Sequence, residues 1–409
     1  MSTRLKGRSF RPAIWMILIT AVLDMMAMGL VMPVLPVLIE ELTGSLQAAG
    51  LWTGIIASLW ATMQFICAPI IGALSDRFGR RRVSLISTAG LALDWVLMAL
   101  APSLWWLVVG RIIGGVTSAS GTAIFAYMAD ITSPENRARA FGLVGAAISA
   151  GFVAGPALGG ILGEWSPRLP FWVAAGFSAA AFLYGLFVLP ESLPADKRTA
   201  FSWRRANPIG AMWLLTSQRD LPWLASSTFL LSFSHRIFTA VFVLYAGHRY
   251  GLSIMQVGAL LAASGVMDLV VQGGMVGPAI RQFGERRVMF FGFVWGAIGL
   301  AAMAFAPSAW LFALALVPNS LWGLSEPTLK AMMSARVDQA EQGRLQGAAH
   351  CVSSMAGITG PLFFGWVYGL SSLSMPGLVF VIAAGIVLLA AVFGVMAGRD
   401  VGDELQQAL

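Results

Sequence analysis

Long, uninterrupted apolar stretches constrain the fold of this 409-residue chain more than any other feature of its sequence. A helix that crosses a bilayer needs about 20 apolar residues, because each residue adds about 1.5 Å to a hydrocarbon thickness of about 30 Å. Twelve such stretches occur, and because they are continuous rather than alternating they predict membrane helices instead of barrel strands. They lie at 14–38, 50–73, 83–101, 103–127, 139–163, 170–190, 222–247, 253–277, 287–306, 308–331, 343–368 and 375–397.

The composition supports a membrane protein and excludes an ordinary soluble domain. Hydrophobic residues form 58% of the chain and charged residues 11%, whereas soluble domains carry about 25% charged residues. The first apolar stretch is too long for a signal peptide and lacks a small-residue cleavage site, so we expect it to be retained. The two cysteines, Cys67 and Cys351, lie in different predicted helices and match neither a metal-binding motif nor a disulfide framework. We therefore expect no metal site.

The basic residues predict the orientation of the chain. Of 26 Lys and Arg residues, 22 fall in the two tails and the even-numbered loops, and basic residues are retained on the cytoplasmic side. We expect a multi-pass protein of the inner cell membrane with both termini in the cytoplasm. The same rule explains the net charge of +7, so no nucleic-acid partner is expected. The four exceptions are Arg168, Arg249, Arg111 and Arg236.

The sequence repeats itself at an offset of 205 residues. "GALSDRFGRRRV" at 72–83 and "GPAIRQFGERRV" at 277–288 share six of their twelve residues. Several separate sites keep this one offset, which chance does not readily give. The same offset relates "APSLWW" at 101–106 to "APSAWL" at 306–311, "AGPALGG" at 154–160 to "TGPLFFG" at 359–365, and Arg139 and Gly142 to Arg344 and Gly347.

A repeat of this length predicts two pseudo-symmetric bundles of six helices. Parallel repeats of this type occur in transporters whose halves rock about a site between them. We place the amino-terminal bundle at 1–190, a cytoplasmic linker at 191–221 and the carboxy-terminal bundle at 222–409. The linker interval is polar, basic and interrupted by proline.

The first copy of the repeated string predicts a tight connection between helices 2 and 3 that acts as a conformational latch. Gly72 and Gly79 permit close approach or unusual dihedral angles, and Asp76 suits a helix amino end or an arginine partner. The alternative is a basic loop that only orients the chain at the inner leaflet. Because Arg281 replaces Asp76 in the second copy, we expect the two latches to differ. The proposed latch residues are Gly72, Asp76, Arg77, Gly79, Arg80 and Arg81.

Several strings also resemble a known family. "GALSDRFGRRR" resembles the helix 2–3 motif of the major facilitator superfamily, and "GFVAGPALGG" resembles the helix 5 motif of its proton-coupled drug exporters. Within that group the chain is similar to the tetracycline/proton antiporters. The resemblance implies the all-α major facilitator fold of twelve transmembrane helices and proton-coupled efflux of a drug-like amphiphile, including the tetracycline type. The strings that carry it are "LDMMAMGLVMPVLP", "MQFICAPIIGALSDRFGRR", "LALDWVLMALAPSLWWLVVGRIIGG" and "GEWSPRLPF".

The helix 5 motif has a physical interpretation of its own. Gly151, Gly155 and Gly159 recur every four residues on one helix face, where small residues let helices approach closely. Pro156 removes a backbone hydrogen bond and bends the helix. The resemblance implies that this bend, with the adjacent Gly160, forms an interface with the second half, and a purely structural packing face is the alternative.

Charged residues inside the predicted helices mark candidate transport residues in the first half. Each costs about 2.5–3.5 kcal/mol at a helix centre, so pairing, water or function must offset it. Asp24 lies about 15 Å from the cytoplasmic end of helix 1, and we expect it to bind the coupling proton with Arg111 as a partner. By resemblance, Asp24, Asp94 and Arg111 match positions that are important to transport in tetracycline antiporters.

The second half departs from the antiporter pattern. Those proteins commonly carry a histidine where this chain has Asp268 and an aspartate where it has Gly296. Arg236 lies at a position that is typically neutral. We expect Arg236 and Asp268 to form an ion pair that takes over part of the proton coupling.

Other polar residues complete the predicted substrate cavity. Gln64 and Gln272 lie near the middle of helices 2 and 8, where they suit hydrogen bonding to a ligand or between helices. His235 is a further cavity candidate. Glu326, directly before Pro327, is a candidate gate residue in the cytoplasmic half of helix 10.

No catalytic or ATP-binding motif is present in the sequence, so we expect a transporter and not an enzyme. Its energy source would be a proton gradient, without a cofactor, and we expect a monomer with a small-molecule substrate, protons and the bilayer as partners. Two alternatives stay open. The first is a carrier of another small metabolite, as exporter or proton symporter. The second is a membrane sensor or scaffold that has kept the fold without transport.

Overall fold

The regular structure of the protein is helical throughout the residues that its computed structural model describes, and each of the twelve predicted stretches contains helix. Parts of the predicted linker, at 194–197, 199–208 and 217–218, and the tail at 398–409 lie outside the described residues. The same holds for Arg139 as regards its side chain. The described residues are 6–118, 124, 127–128, 130–132, 136–193, 198, 209–216, 219–338 and 341–397.

The first half contains six helical stretches. In the fourth, the helix ends at Thr117, and of the residues beyond Ser118 only Ile124 and Tyr127 are described, both of them helical. The bounds are α1, Lys6–Val31 with a short continuation Leu35–Thr43; α2, Leu46–Phe78; α3, Arg80–Leu100; α4, Leu104–Thr117; α5, Arg137–Trp165; and α6, Leu169–Val188.

The second half has six stretches as well, but three of them are interrupted. A short 3₁₀ helix, Ile209–Thr216, precedes them. The bounds are α7, Leu221–His235, Ile237–Ala240 and Phe242–Tyr250; α8, Ile254–Val270, a π-helical turn Val271–Met275, and Val276–Phe283; α9, Glu285–Phe305; α10, Ala309–Leu314, Leu316–Ser320, a 3₁₀ turn Leu321–Leu324, and Ser325–Ser334; α11, Gln342–Ser371; and α12, Leu378–Met396.

The helices have the dimensions of membrane spans. Among the described residues, eight helices are long and apolar enough to cross a bilayer. In α7, the parts Leu221–Ala240 and Phe242–Tyr250 pass the same test together, across a bend of 49°. The remaining stretches, α4, α10 and α11, are shorter, interrupted or less apolar there. The predicted class, an all-α membrane protein, is confirmed.

The 205-residue repeat is visible in the helix bounds. α3 and α9 are both 21 residues long and begin 205 residues apart, at Arg80 and Glu285. Each follows a single glycine with positive φ, Gly79 at 101° and Gly284 at 80°. Only glycine adopts these angles readily, so the same residue type makes the same connection in both copies.

The chain forms two compact units that exchange one helix segment each. The first unit comprises Met1–Thr43, Leu59–Asn207 and Ser253–Ala262, and the second comprises Gly44–Ser58, Pro208–Leu252 and Ala263–Leu409. The exchanged segments are thus the beginnings of α2 and α8, which lie at nearly equivalent positions of the repeat.

Glycines let each exchanged segment pack closely in its unit. In the first unit, a Cβ at Gly258 of α8 would lie 2.8 Å from Cα of Gly160 on α5. In the second unit, a Cβ at Gly54 of α2 would lie 3.2 Å from Cα of Leu362 on α11. Both contacts lie beside the proline inside the long helix, Pro156 or Pro361. Contacts this close between backbones require glycine.

Candidate functional site

A buried ion pair joins α3 and α4 in the first unit. The Nη2 atom of Arg111 lies 2.5 Å from Oδ2 of Asp94, and the two side chains are 7% and 0% exposed. The Arg111 guanidinium also lies over the ring of Trp95, 4.6 Å from its centroid, where the π-electrons stabilise a cation. Nη2 of Arg111 and Oδ2 of Asp94 satisfy each other, whereas Oδ1 of Asp94 and Nε of Arg111 make no hydrogen bond with any described residue, so removal of either partner would leave an uncompensated buried charge.

Two glycines of α4 make the space for this pair. A Cβ at Gly110 would lie 2.9 Å from Oδ1 of Asp94, and one at Gly114 would lie 2.7 Å from its Cγ. Because Gly110 and Gly114 are one turn apart and flank Arg111, α4 supplies both the cation and the space for the anion. No role was predicted for these glycines from the sequence, although their four-residue spacing beside an arginine inside a helix indicates one.

Asp24 belongs to another helix of the first unit, α1. It is buried on α1, 7% exposed, in the part of that helix that packs against α5. We expected Arg111 to serve Asp24, whereas the salt bridge that Arg111 makes is to Asp94. The roles of Asp24 and Asp94 in proton coupling stay predictions.

A second polar cluster gathers around Trp322 in the second unit. The ring of His235 stacks on Trp322 with centroids 4.7 Å apart. Trp322 occupies the space beside Gly296 of α9, where a Cβ would lie 2.7 Å from the Trp322 Cβ. Gln272 of α8 lies against the neighbouring Gly323, 3.4 Å from its Cβ position. Residues of α7, α8 and α9 therefore lie close together around Trp322 of α10.

Charged side chains lie close to this aromatic pair. Glu326 forms a salt bridge of 2.7 Å with Lys330 one turn later on α10. Its charge also reaches His235 and Arg236 of α7 and Asp268 of α8. Both members of the Glu326–Lys330 pair are about half exposed, at 48% and 47%. Since facing ionised side chains to lipid is costly, this surface must be accessible to water.

The predicted direct pair between Arg236 and Asp268 is wrong. Among the described residues no salt bridge joins them, and Glu326 is the acid within electrostatic range of both. The stem of Arg236 packs instead on α11, where a Cβ at Gly360 would lie 2.8 Å from Cβ of Arg236. The buried Nε of Arg236 makes no hydrogen bond.

Three helices lose regular geometry at this cluster. α7 is interrupted at Arg236, α8 contains the π-helical turn Val271–Met275, and α10 contains the 3₁₀ turn Leu321–Leu324. In α10 the cause is Pro327, which has no N–H for the carbonyl of Gly323. Irregular backbone at membrane depth is tolerated only inside protein or beside water, and it is common at functional sites.

Gln64 and Gln272, the two predicted hydrogen-bonding glutamines, differ in their surroundings. Gln64 is half-buried on α2, in the first unit, whereas Gln272 is exposed in the π-helical turn of α8. Only Gln272 lies in the cluster around Trp322.

Arg80 is the centre of the first latch. Its guanidinium lies 2.6 Å from the carboxylate of Asp76 and 3.3 Å from that of Asp130, and it donates to the hydroxyl of Ser75 at 3.0 Å. The prediction that Asp76 pairs with an arginine is confirmed. The side chain of Arg80 is consequently turned into the protein and is not an anchor at the lipid surface.

Glu191 holds the amino end of α3. The backbone N–H groups of Arg80 and Arg81 donate to its Oε1 at 2.8 and 3.4 Å, where the helix dipole favours a negative charge. Nη2 of Arg81 donates to the carbonyl of Leu186 at the end of α6. From the sequence, Glu191 was placed only in the linker. Its position directly after α6 nevertheless lets it reach the amino end of α3.

Gly72 and Arg77, two other residues of the proposed latch, make no contact with the described residues that supports the expected role. Gly72 is an interior residue of α2, and a Cβ there would meet no atom within 4 Å, so it serves neither a close approach nor a turn. Arg77 lies over the ring of its neighbour Phe78, 5.1 Å from the centroid. The unusual dihedral angle predicted for this string occurs at Gly79 alone among its described glycines.

The predicted small-residue face of α5 packs against α1. Cβ atoms at Gly151, Gly155 and Gly159 would all lie within 3.0 Å of α1 atoms. For Gly155 the nearest atom is Cα of Gly29, at 2.6 Å. Gly160 points to another neighbour, the Ser253–Ala262 segment of α8. Close helix packing is therefore confirmed, and the role of the motif in transport stays a prediction.

Comparisons with known proteins agree with these features. The model of the Major Facilitator Superfamily matches residues 17–275 and 224–406. The chain is 37% identical over 376 residues to tetracycline resistance protein, class C, of Escherichia coli, covering 92% of this chain and 94% of that relative. It is 38% identical over 362 residues to the class G protein of Vibrio anguillarum, covering 88% and 92%. Its fold is similar to the solved nucleoside transporter NupG, with a TM-score of 0.77 at 15% identity, covering 94% of this chain and 98% of that one.

Proposed function

Because the chain belongs to the major facilitator superfamily, we propose that it is a proton-coupled exporter of amphiphilic drugs, with the tetracyclines as the first class to test. Relatives named tetracycline resistance proteins cover about nine-tenths of the chain, so the relationship includes both halves of the repeat. The resemblance seen in the sequence motifs agrees with this relationship.

The buried pair of Asp94 and Arg111 is the observation that supports ion-coupled transport best. Replacement of a buried ion pair by apolar residues of similar volume is often neutral or stabilising, so stability alone gives little reason to keep one. A sensor or scaffold that only retained the fold would not need this pair, nor the charges around Trp322. An exporter coupled to protons uses such groups.

The chemistry that these residues supply is proton exchange. A carboxyl group whose cationic neighbour differs between two conformations binds a proton in one and releases it in the other. We assign this task to Asp24, Asp94 and Asp268, and we assign Arg111, His235, Arg236, Gln64 and Gln272 to contact with the substrate. The proton gradient is then the only energy source, and no cofactor is required.

The proposed location is the inner cell membrane, with both termini in the cytoplasm. The 22 basic residues in the tails and even-numbered loops support this orientation. We propose that the protein works as a monomer, with the bilayer, protons and a small molecule as its only partners.

Uptake of tetracycline into everted membrane vesicles tests the proposal. Vesicles that contain the protein should accumulate the drug when a pH gradient is imposed, and a protonophore should abolish the uptake. Asp24→Asn should lower pH-driven uptake at least about tenfold at equal protein content, because an amide cannot carry the proton.

Two results would contradict the proposal. Drug uptake that survives the protonophore excludes proton coupling. The absence of uptake of any tetracycline, together with pH-driven movement of another metabolite, favours the alternative carrier function.

A further inference from the structure

Glu326 lies where the interrupted helices of the second unit meet. It belongs to the first turn of the helix Ser325–Ser334, which restarts after the 3₁₀ turn Leu321–Leu324. The amino end of a helix favours a negative charge. About eight residues, or about 12 Å, separate Glu326 from the end of α10 at Ser334. The acid therefore lies well inside the span and at a point of irregular backbone.

The side of the helix that carries Glu326 differs from its other sides. Ser325, Thr328 and Leu329 are buried, whereas Glu326 and Lys330 are about half exposed and form one row along the helix. A half-exposed ion pair inside a membrane span requires water beside it. Protons can thus reach Glu326 from this water.

Glu326 has more than one cation within electrostatic range. Lys330 makes the direct contact, at 2.7 Å. Arg236 of α7 is in range without contact, and its buried Nε makes no hydrogen bond. The ring of His235, stacked on Trp322, is the other titratable group of α7 near Glu326 and is not one of these cations. An exposed pair such as Glu326–Lys330 contributes about 0–1 kcal/mol, so exchange of the partner is energetically easy.

The other elements packed on this part of α10 complete the electrostatic environment. α8 contributes a second acid, Asp268, whose negative charge is repelled by that of Glu326. α11 contributes His350, which faces Lys330. The α9 residues that contact this region, Met289, Gly292 and Gly296, are uncharged.

We propose that Glu326, beside Asp268, is a second proton-exchanging carboxylate of the second unit, and that it changes its cationic partner from Lys330 to Arg236 as it releases and rebinds a proton. The inference rests on the proposed proton coupling and assigns it to a residue that the sequence marked only as a gate. Asp268 is the neighbouring acid of this site and makes no salt bridge with Arg236 among the described residues.

Chemical labelling tests whether Glu326 takes up a proton, without any substrate. Dicyclohexylcarbodiimide reacts only with a protonated carboxyl group, whose oxygen bonds to the carbodiimide carbon while its proton moves to nitrogen. Purified full-length protein would be labelled in buffers from mildly acidic to mildly alkaline and mapped by mass spectrometry. We expect labelling of Glu326 to rise as the pH falls, while Glu341, paired with Arg344 at 3.0 Å, serves as the internal control.

Lys330→Gln sharpens the labelling test. Removal of the contacting cation favours the protonated acid, so the labelling of Glu326 should extend to higher pH than in the unaltered protein. Labelling of Glu326 that never exceeds that of Glu341, or that does not change with pH, would overturn the inference.

Transport assays in proteoliposomes test the role in coupling. Glu326→Gln should lower pH-driven tetracycline uptake at least about tenfold but leave exchange of labelled for unlabelled drug within about twofold, because exchange needs no net proton movement. The matched variant Glu341→Gln should change neither rate. Loss of both activities in folded Glu326→Gln protein would make Glu326 a substrate ligand, and retention of both would remove it from the mechanism.

The outcomes separate the two proposals. If the unaltered protein does not transport tetracycline with a pH gradient, the proposed function fails. The labelling of Glu326 still decides whether this carboxylate exchanges protons.

Discussion

The two units of this protein hold their charges inside the membrane in opposite ways. In the first, Asp94 and Arg111 are in direct contact at 2.5 Å, both are buried, and α3 is a regular helix around them. In the second, Glu326 is half exposed, Arg236 has no salt bridge among the described residues, and three helices are interrupted. The repeat therefore preserves helix positions without preserving the arrangement of charge.

This difference indicates different tasks. A buried pair in close contact resists exchange, because removal of either partner leaves an uncompensated charge. The half-exposed acid Glu326 has two cations near it, Lys330 and Arg236, and can pair with either at similar energy. We infer that an acid exchanges its cationic partner more easily in the second unit than in the first.

The two latches show the same relationship on a smaller scale. Arg81 and Arg286, 205 residues apart, each donate through Nη2 to a carbonyl near the end of the last helix of their half, Leu186 or Val395, at 2.6 Å. The acids around them differ. Glu191 reaches α3 from beyond α6, whereas α9 carries Glu285 in its own first turn. The expected asymmetry of the latches is thus confirmed at the level of charge.

Removal of one member of the buried pair should have the largest effect. Asp94→Asn should destabilise the protein by about 3–5 kcal/mol, because it leaves Arg111 charged and buried. The matched variant Asp268→Asn in the second unit should cost less than about 1 kcal/mol, since Asp268 makes no salt bridge among the described residues and its loss leaves no paired cation behind. Thermal unfolding in detergent measures both.

A double variant makes this test independent of the individual losses. Asp94→Asn combined with Arg111→Gln should lose clearly less stability than the two single variants added together. Equal losses from Asp94→Asn and Asp268→Asn would remove the contrast between the units.

Alanine at repeat-related glycines should have the next largest effect. A Cβ at Gly155 would lie 2.6 Å from the backbone of Gly29, whereas one at Gly360 would meet the movable side chain of Arg236 at 2.8 Å. We expect Gly155→Ala to cost about 1–3 kcal/mol and Gly360→Ala to cost less, because a side chain can move and a backbone cannot. Thermal unfolding compares them.

Gly145→Ala is the control on the same helix. No atom lies within 4 Å of its Cβ position, and alanine favours helix over glycine by up to about 1 kcal/mol. Stability should stay the same or rise. A loss at Gly145 as large as that at Gly155 would mean that close packing is not the cause.

The acids at the amino ends of α3 and α9 should give the smallest effect. Glu191→Gln should lower stability by about 0.3–1 kcal/mol, because an amide interacts less favourably with the helix dipole and with backbone N–H donors. Glu285→Gln is the matched change in the second copy and should cost no more than this. Salt should weaken both effects, as it screens exposed charges. A loss of stability from Glu191→Gln that exceeds the loss from Asp94→Asn would contradict this order of effects.

The local features of the fold could be predicted because they depend on neighbouring residues. Apolar stretches set the helices, and the single residues Gly79 and Gly284 set the connections before α3 and α9. Gly155 and its four-residue spacing predicted close packing on a neighbouring helix. These predictions needed only helix geometry and the conformational range of glycine.

Partner choice could not be predicted in the same way. The sequence places Asp24, Asp94, Arg111, Arg236 and Asp268 inside helices, but it does not give the rotation or the neighbours of those helices. The structure gives Arg111 a salt bridge with Asp94, where we expected Asp24 as its partner. It places Arg236 and Asp268 near Glu326, without a salt bridge between them among the described residues.

Length, apolar pattern and repeat thus determined by themselves that this chain is a helical membrane protein of two related halves. Only the tertiary structure decided which charges meet, because ion pairing depends on a few ångströms between side chains of different helices. One turn of a helix moves a side chain by about 5.4 Å along the axis, which is enough to exchange one partner for another. Helix rotation and close packing at glycines fix that distance, and both arise from contacts between residues far apart in the sequence.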